Sequence, residues 1–92
     1  MSTVLITGAS SGFGLACAEK FAGGANKLIL AARRQDRLEA LASKLSVQTE
    51  VHTMALDVRE REAVTDQLAA LPEGFRDVDI LINNAGLAKG LG

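Results

Sequence analysis

The sequence predicts an α/β fold, a partial doubly wound parallel sheet of about four strands with three helices. Short apolar, β-branched runs alternate along the chain with segments of helical periodicity. Glycines end the first run of each kind, and no internal repeat or long linker interrupts the alternation. With 92 residues the chain is expected to form one folded unit at most. This alternation favours parallel strands joined by right-handed crossovers, with helices on both faces.

The first half of the chain supplies two strands and a helix. Thr3–Thr7 is a β-branched run ended by glycine, which predicts a buried strand. Residues 12–22 are predicted to form helix one, and Gly23-Gly24 stop it. Its apolar residues recur at helical spacing: Phe13, Ala16, Cys17 and Phe21. Lys27–Ala32 is again a compact apolar run and predicts strand two.

The second half continues the alternation. Helix two is the clearest amphipathic segment, with an apolar face formed by Leu38, Leu41, Ala42 and Leu45. Residues 51–56 are predicted as strand three, residues 60–71 as helix three and residues 78–82 as strand four. The inward face of helix three is assigned to Val64, Leu68 and Leu71. Pro72 and Gly74 mark a turn.

Composition limits the classes of partner. Residues are 48% hydrophobic and 23% charged, which is typical of a globular protein. The formal charge of −1 gives no basic field for nucleic acid. Cys17 is the only cysteine, so no intrachain disulfide forms, and a small buried residue on a helix is its simplest interpretation. No signal or membrane segment is recognised, and we expect a cytoplasmic protein without a membrane partner.

The stretch TGASSGFG, residues 7–14, joins the end of strand one to the first turn of helix one. Such a turn presents free N–H groups and the positive end of the helix dipole, which together bind anions. Gly8 allows the tight turn, and Gly12 and Gly14 remove Cβ atoms that would block a pyrophosphate or hold the helix off the strand. Ser10 and Ser11 add hydroxyl donors. The spacing is neither G-x-G-x-x-G nor a P-loop, so a purely structural turn stays open beside a dinucleotide site.

Two arginines follow strand two, about 20 residues beyond the glycine turn, where dinucleotide-binding folds read the ribose. An acidic residue there would bind the 2′-hydroxyl of NAD, whereas Arg33 and Arg34 suit a 2′-phosphate. NADP is therefore favoured over NAD as the cofactor. Alternatively, the two arginines are the solvated start of helix two.

With TGASSGFG, AARR, LDV and NNAG in order on four successive strand ends, the chain resembles the short-chain dehydrogenase/reductase family over essentially its whole length. Within it, the chain looks most like NADP-dependent 3-hydroxy acid dehydrogenases of the serine and allo-threonine type. The resemblance implies a Rossmann-type sheet of strand order 3-2-1-4. It also implies that residues 1–92 form a dinucleotide-binding half-domain, truncated before the catalytic half.

The resemblance implies a set of cofactor-binding residues at the strand ends: Gly8, Ser10, Ser11, Gly12, Phe13, Gly14, Arg33, Arg34, Asp57, Val58, Asn84, Ala85 and Gly86. The first six would wrap the pyrophosphate and adenosine ribose, and the arginines would meet the 2′-phosphate. Asp57 and Val58 would border the adenine ring, and the last three would pass close to the cofactor ribose. Asp57 has an alternative role as the N-cap of helix three, and the asparagines also suit a strand-closing turn.

The family's chemistry uses a serine, a tyrosine as acid/base, and a lysine four residues after the tyrosine. This chain contains no tyrosine, so it is expected to have no catalytic residues and to be inactive alone. His52 is mid-strand and is interpreted as an ordinary sheet residue, and Lys89 as a solvated loop lysine.

Two hypotheses follow. In the first, the chain is the NADP-binding part of an oxidoreductase that transfers hydride between nicotinamide and a small hydroxy acid, alcohol or carbonyl substrate. That oxidoreductase is expected to be a homo-oligomer at full length. In the second, it is a non-catalytic nucleotide-binding or interaction module completed by another chain. The strand order would leave strand four paired on one side only, with an apolar edge.

Overall fold

The computed structural model describes residues 2–9, 12–24, 26–57 and 59–83, apart from the side chain of Phe13. Strands and helices alternate as predicted, followed by a short 3₁₀ turn before the last strand. The elements are β1 (Thr3–Thr7), α1 (Gly12–Gly23), β2 (Lys27–Ala32), α2 (Gln35–Leu45), β3 (Val51–Ala55), α3 (Arg61–Ala69), the 3₁₀ turn (Glu73–Phe75) and β4 (Ile80–Asn83). The predicted α/β class is confirmed.

The four strands form one parallel sheet in the order β3-β2-β1-β4. This confirms the 3-2-1-4 order implied by the family resemblance. Thr7 pairs with Ala31 on one side and with Asn83 on the other. Ala32 in turn pairs with Ala55 of β3. Because all strands run the same way, the loops that follow them open at one edge of the sheet, which is where ligands bind in such folds.

One face of the sheet carries the larger core. Alternate residues of β1 and β2 point to this face and pack against α1 and α2. Leu38, Leu41 and Leu45 of α2 are buried there, which confirms the predicted apolar face of that helix. Cys17 is half-buried against the same cluster. The buried residues are Val4, Ile6, Ala9, Ala18, Ala22, Leu28, Leu30, Ala32, Leu38, Leu41 and Leu45.

The opposite face has a smaller core. It is formed by Leu5, Ile29, Ala31, Met54, Leu56 and Leu71, with Val64 and Phe75 packed against them. α3 contributes no fully buried residue, so it covers this face less closely than α1 and α2 cover the other. No helix in the described part of the chain is long and apolar enough to cross a membrane.

Helix three is shorter than predicted, and its assigned inward face is partly wrong. α3 ends at Ala69 rather than at residue 71, and Leu68 is 37% exposed. Leu71 is buried as predicted, but it lies in the loop after the helix. Helical geometry is disfavoured for the residue before a proline, so the helix ends ahead of Pro72 and Leu71 reaches the core from the loop.

Strand four begins later than predicted. β4 starts at Ile80, and Val78 is exposed rather than part of the strand. Asp79 joins the sheet differently, because its carboxylate Oδ2 accepts the backbone N–H of Thr3 at 2.9 Å. Its own N–H donates to the carbonyl of Thr3, also at 2.9 Å. The side chain thus takes the donor at the start of β1, and regular strand pairing begins one residue further on.

Candidate cofactor-binding site

The turn between β1 and α1 is held tightly against the helix. Gly8 has a φ of 63°, in the left-handed region that favours glycine, as the predicted tight turn requires. A Cβ atom at Gly14 would overlap the carbonyl oxygen of Gly8 and would lie 2.7 Å from Cα of Ala9. Ala9 is itself fully buried, and its N–H donates to the carbonyl of Ala31 at 3.1 Å. The bare backbone of Gly14 is therefore needed for the close approach of helix and strand.

Gly12 has a different environment. It is the first residue of α1 and is exposed, and a Cβ atom built on it would meet nothing within 4 Å. No protein packing among the described residues requires glycine here, so its bare backbone leaves open space beside the first turn of the helix. Ser10 and Ser11, predicted to lie in the same turn, are outside the described residues.

Arg33 and Arg34 are exposed directly after β2, at the same edge as the glycine turn. The guanidinium of Arg34 pairs with the Asp36 carboxylate, with its NH2 nitrogen 3.2 Å from Oδ2 and Nε 3.3 Å from Oδ1. This contact lowers the pKa of Asp36 below its ordinary value. Arg33 has no ion-pair partner among the described residues. Arg34 also occupies the N-cap position of α2. This agrees in part with the alternative interpretation, in which the two arginines are the solvated start of helix two.

Asp57 lies beyond β3, which ends at Ala55 rather than at residue 56. The carboxylate of Asp57 faces the guanidinium of Arg59. Nε of Arg59 donates to both carboxylate oxygens at 3.1 Å, and NH2 donates to Oδ2 at 2.7 Å. The backbone N–H of Arg59 adds a bond to Oδ1 at 2.9 Å. These hydrogen bonds, with a smaller contribution from the charge of Arg33, hold the pKa of Asp57 well below its ordinary value.

The alternative role of Asp57 as a helix N-cap is wrong. α3 begins at Arg61, and Glu60 occupies the cap position without a side-chain bond to the helix. Asp57 bonds instead to the N–H two residues ahead of it, in the turn that precedes the helix. Val58, predicted beside it at the adenine, lies outside the described residues.

The end of β4 is tied to the end of β1. The hydroxyl of Thr7 lies 2.9 Å from Oδ1 of Asn83 and 3.4 Å from the carbonyl oxygen of Ile82, and it donates at this junction. This bond fixes the strand end from which the NNAG motif continues. Asn84, Ala85 and Gly86, and also Lys89, lie outside the described residues.

The sequence interpretation missed two residues that organise this edge. The sequence pattern indicates for Thr7 only a position at the end of strand one, and for Arg59 no site. The available signal for Arg59 was its position two residues after an aspartate that follows a strand, which suits a turn closed by the aspartate side chain. His52 lies within β3, half-buried, with its ring 5.6 Å from that of Phe75. This agrees with its interpretation as a sheet residue.

The fold and this edge define the chain as a Rossmann-type α/β protein, with a glycine turn after β1 and arginines after β2. The family model described as short chain dehydrogenase matches residues 2–91. The chain belongs to the short-chain dehydrogenase family.

Individual relatives agree with this membership. The chain is 53% identical over 88 residues to serine 3-dehydrogenase of Agrobacterium fabrum, covering 96% of this chain and 34% of that protein. It is 55% identical over 85 residues to sulfoacetaldehyde reductase 2 of Chromohalobacter salexigens, covering 92% and 34% respectively. The chain thus spans about a third of the length of these relatives.

A solved structure is similar over most of the chain. An alcohol dehydrogenase of Thermococcus sibiricus, complexed with 5-hydroxy-NADP, superimposes with a TM-score of 0.81 at 40% identity. The match covers 88% of this chain and 35% of that one. The two relatives named for different substrates, at 53% and 55% identity, are about equally similar to this chain, so the similarity does not select a substrate.

Proposed function

We propose that this chain binds NADP(H), as the dinucleotide-binding part of a short-chain oxidoreductase. The observation that carries the proposal is the edge of the sheet where the Gly8 turn and two exposed arginines open side by side. A 2′-phosphate is the part of NADP that NAD lacks, and guanidinium groups pair with phosphate through charge-assisted hydrogen bonds. Arg33, without an ion-pair partner among the described residues, is available for that contact.

The residues of the sheet edge are assigned by the same reasoning. The open space at Gly12 fits an anionic pyrophosphate against the N-terminus of α1. We assign contacts with the dinucleotide to Gly8, Ser10, Ser11, Gly12, Phe13, Gly14, Arg33, Arg34, Asp57, Val58, Asn84, Ala85 and Gly86. When bound, the nicotinamide would supply or accept a hydride, and the chain's residues would hold the other end of the cofactor.

We infer that the complete enzyme interconverts a small hydroxy acid or alcohol and the corresponding carbonyl compound. The 92 residues contain no tyrosine to act as acid/base. We therefore expect the chain alone to bind the dinucleotide without turning over a substrate, with the remaining catalytic groups and the oligomer contacts supplied by further sequence.

Replacing both arginines tests the cofactor assignment. Arg33→Ala with Arg34→Ala should weaken NADPH binding by about 1–3 kcal/mol, the magnitude of hydrogen bonds to charged groups. NADH affinity should hardly change, because it has no 2′-phosphate. Dissociation constants of the two dinucleotides, measured by calorimetry at one fixed salt concentration, give the comparison.

Arg37→Ala is the matched control, since Arg37 is an exposed arginine of α2. It removes a positive charge near the site and should leave the ratio of NADPH to NADH affinity unchanged. Equal losses for both dinucleotides in the double variant, or no NADPH binding by the unaltered chain, would contradict the proposed function.

A second candidate function is an interaction module completed by another chain. The position of β4 as an outer strand of the sheet favours it. β4 pairs only with β1 among the described strands, and Leu81 is 59% exposed. An unpaired edge with an exposed apolar residue offers a place for another strand to add. We infer that a second chain pairs along β4 beside Leu81.

Leu81→Lys should therefore shift the chain toward the monomer in sedimentation velocity experiments, because a charge on an edge strand opposes strand addition. Val47→Lys is the control, since Val47 is 85% exposed but lies in the turn after α2. If both variants change self-association equally, general apolar exposure is responsible. A monomeric unaltered chain would remove the support for this candidate.

A further inference from the structure

The guanidinium of Arg59 is committed to one carboxylate. It contacts both oxygens of Asp57 through Nε and NH2, and the backbone N–H of the same residue adds a further bond. This two-point contact fixes the orientation of the carboxylate, because a planar guanidinium matches a carboxylate in only a few geometries. The side chain of Asp57 is only 19% exposed, so its charge is held mainly within this turn.

Asp57 is also near Arg33. β2 and β3 are neighbours, and Ala32 pairs with Ala55, so the residues after these strands lie side by side. The Leu56 N–H extends the pairing by donating to the Ala32 carbonyl at 2.9 Å. Arg33 acts on the Asp57 carboxylate through its charge, but it forms no ion pair with it. Arg59 rather than Arg33 is the ion-pair partner of Asp57.

Arg33 and Asp57, which follow β2 and β3, have opposite effects on a phosphorylated ribose, because a guanidinium attracts a phosphate and a carboxylate repels it. An uncompensated carboxylate beside Arg33 would repel a 2′-phosphate and would also compete for the Arg33 guanidinium. With Arg59 paired to Asp57, both effects are reduced. Arg34 does not provide the same compensation, because its guanidinium pairs with Asp36.

We infer that Arg59 is a positioning residue for dinucleotide selection, which holds Asp57 and thereby leaves Arg33 for the 2′-phosphate. The inference rests on the proposed NADP binding. It assigns to Arg59 an effect on the preference between NADPH and NADH without a contact between Arg59 and the phosphate.

The test compares dissociation constants of NADPH and NADH for the unaltered chain and its variants. Arg59→Ala should lower the preference for NADPH about tenfold, because the uncompensated carboxylate then acts on the phosphate and on Arg33 through a partly screened charge. The further change Asp57→Asn should restore the preference to within about threefold, because it removes the carboxylate that Arg59 compensates. The ratio cancels any contact of Asp57 with adenine, which both dinucleotides contain.

The coupling between Arg33→Ala and Arg59→Ala in NADPH affinity gives a second test. A merely structural role of Arg59 would not change the effect of Arg33→Ala. Arg33→Ala should reduce NADPH affinity less in the Arg59→Ala background than in the unaltered chain, because Asp57 then already occupies Arg33. Arg61→Ala is the control, since Arg61 is exposed two residues further along and should leave the ratio unchanged.

Thermal melts check the fold of each variant. If Arg59→Ala fails to melt cooperatively, Arg59→Lys replaces it, because lysine keeps the charge but loses the paired hydrogen bonds.

The outcomes separate this inference from the proposed function. If Asp57→Asn does not restore the preference lost in Arg59→Ala, Arg59 contacts the phosphate itself and the inference is overturned. An unchanged preference in Arg59→Ala also overturns it, while an arginine-dependent preference for NADPH in the unaltered chain keeps the proposed function. If the unaltered chain binds neither dinucleotide, the proposed function fails and this inference fails with it.

Discussion

Gly14→Ala is expected to lower the folding stability of the chain strongly. The added Cβ would overlap the Gly8 carbonyl oxygen and would lie 2.7 Å from Cα of Ala9, and both are backbone atoms that cannot move aside alone. The first turn of α1 would have to separate from β1. We expect a cost of about 3 kcal/mol or more, at the upper end for overpacking. Urea unfolding followed by circular dichroism measures this loss.

Gly12→Ala is the matched control, because it adds the same methyl group to the same helix. Nothing lies within 4 Å of that position, and alanine favours a helix more than glycine does by up to ~1 kcal/mol. Its stability should be unchanged or slightly raised. Wild-type stability in Gly14→Ala would show that α1 does not approach the turn this closely.

Leu30→Ala is expected to have the next largest effect on stability. Leu30 lies in β2, is fully buried, and belongs to the core between the sheet and helices α1 and α2. Truncation of a buried leucine costs about 2–5 kcal/mol, because the side chain loses its burial and a cavity remains. The native state of a typical domain is only ~5–15 kcal/mol more stable than the unfolded state, so this variant should unfold at much lower urea concentration.

Val47→Ala provides the comparison for the core variant. Val47 is 85% exposed, and its truncation should change the free energy of unfolding by less than about 0.5 kcal/mol. If Leu30→Ala and Val47→Ala unfold at the same urea concentration, the sheet face beneath α1 and α2 is not a packed core.

The order of helices and strands could be predicted from the sequence because it depends on local pattern. The bounds of Thr3–Thr7 and Lys27–Ala32 agree with the structure to the residue. The interior residues of both runs are apolar and buried, and turn or helix signals border the runs. The alternation of strands and helices also predicts that the strands are parallel, but the strand order 3-2-1-4 could be predicted only through the family resemblance.

Errors occurred where one side chain or one turn overrides the pattern. Leu68 has the spacing of an inward residue, but Pro72 brings Leu71 into the core from the loop and Leu68 remains exposed. At the start of β4, Asp79 pairs with the backbone of Thr3 through its carboxylate. A contact between residues so far apart in sequence has no periodic signature.

For the candidate site, local sequence patterns suffice to predict which residue types reach the edge of the sheet: the glycines after β1, the arginines after β2 and the aspartate after β3. Only the tertiary structure separated the packing role of Gly14 from the open position of Gly12. It also decided that Asp57 pairs with Arg59 and not with Arg33. Spacing along the sequence fixes which strand end a residue follows. Its hydrogen-bond partner depends on the path of the backbone and on the side chains that this path brings within hydrogen-bonding distance.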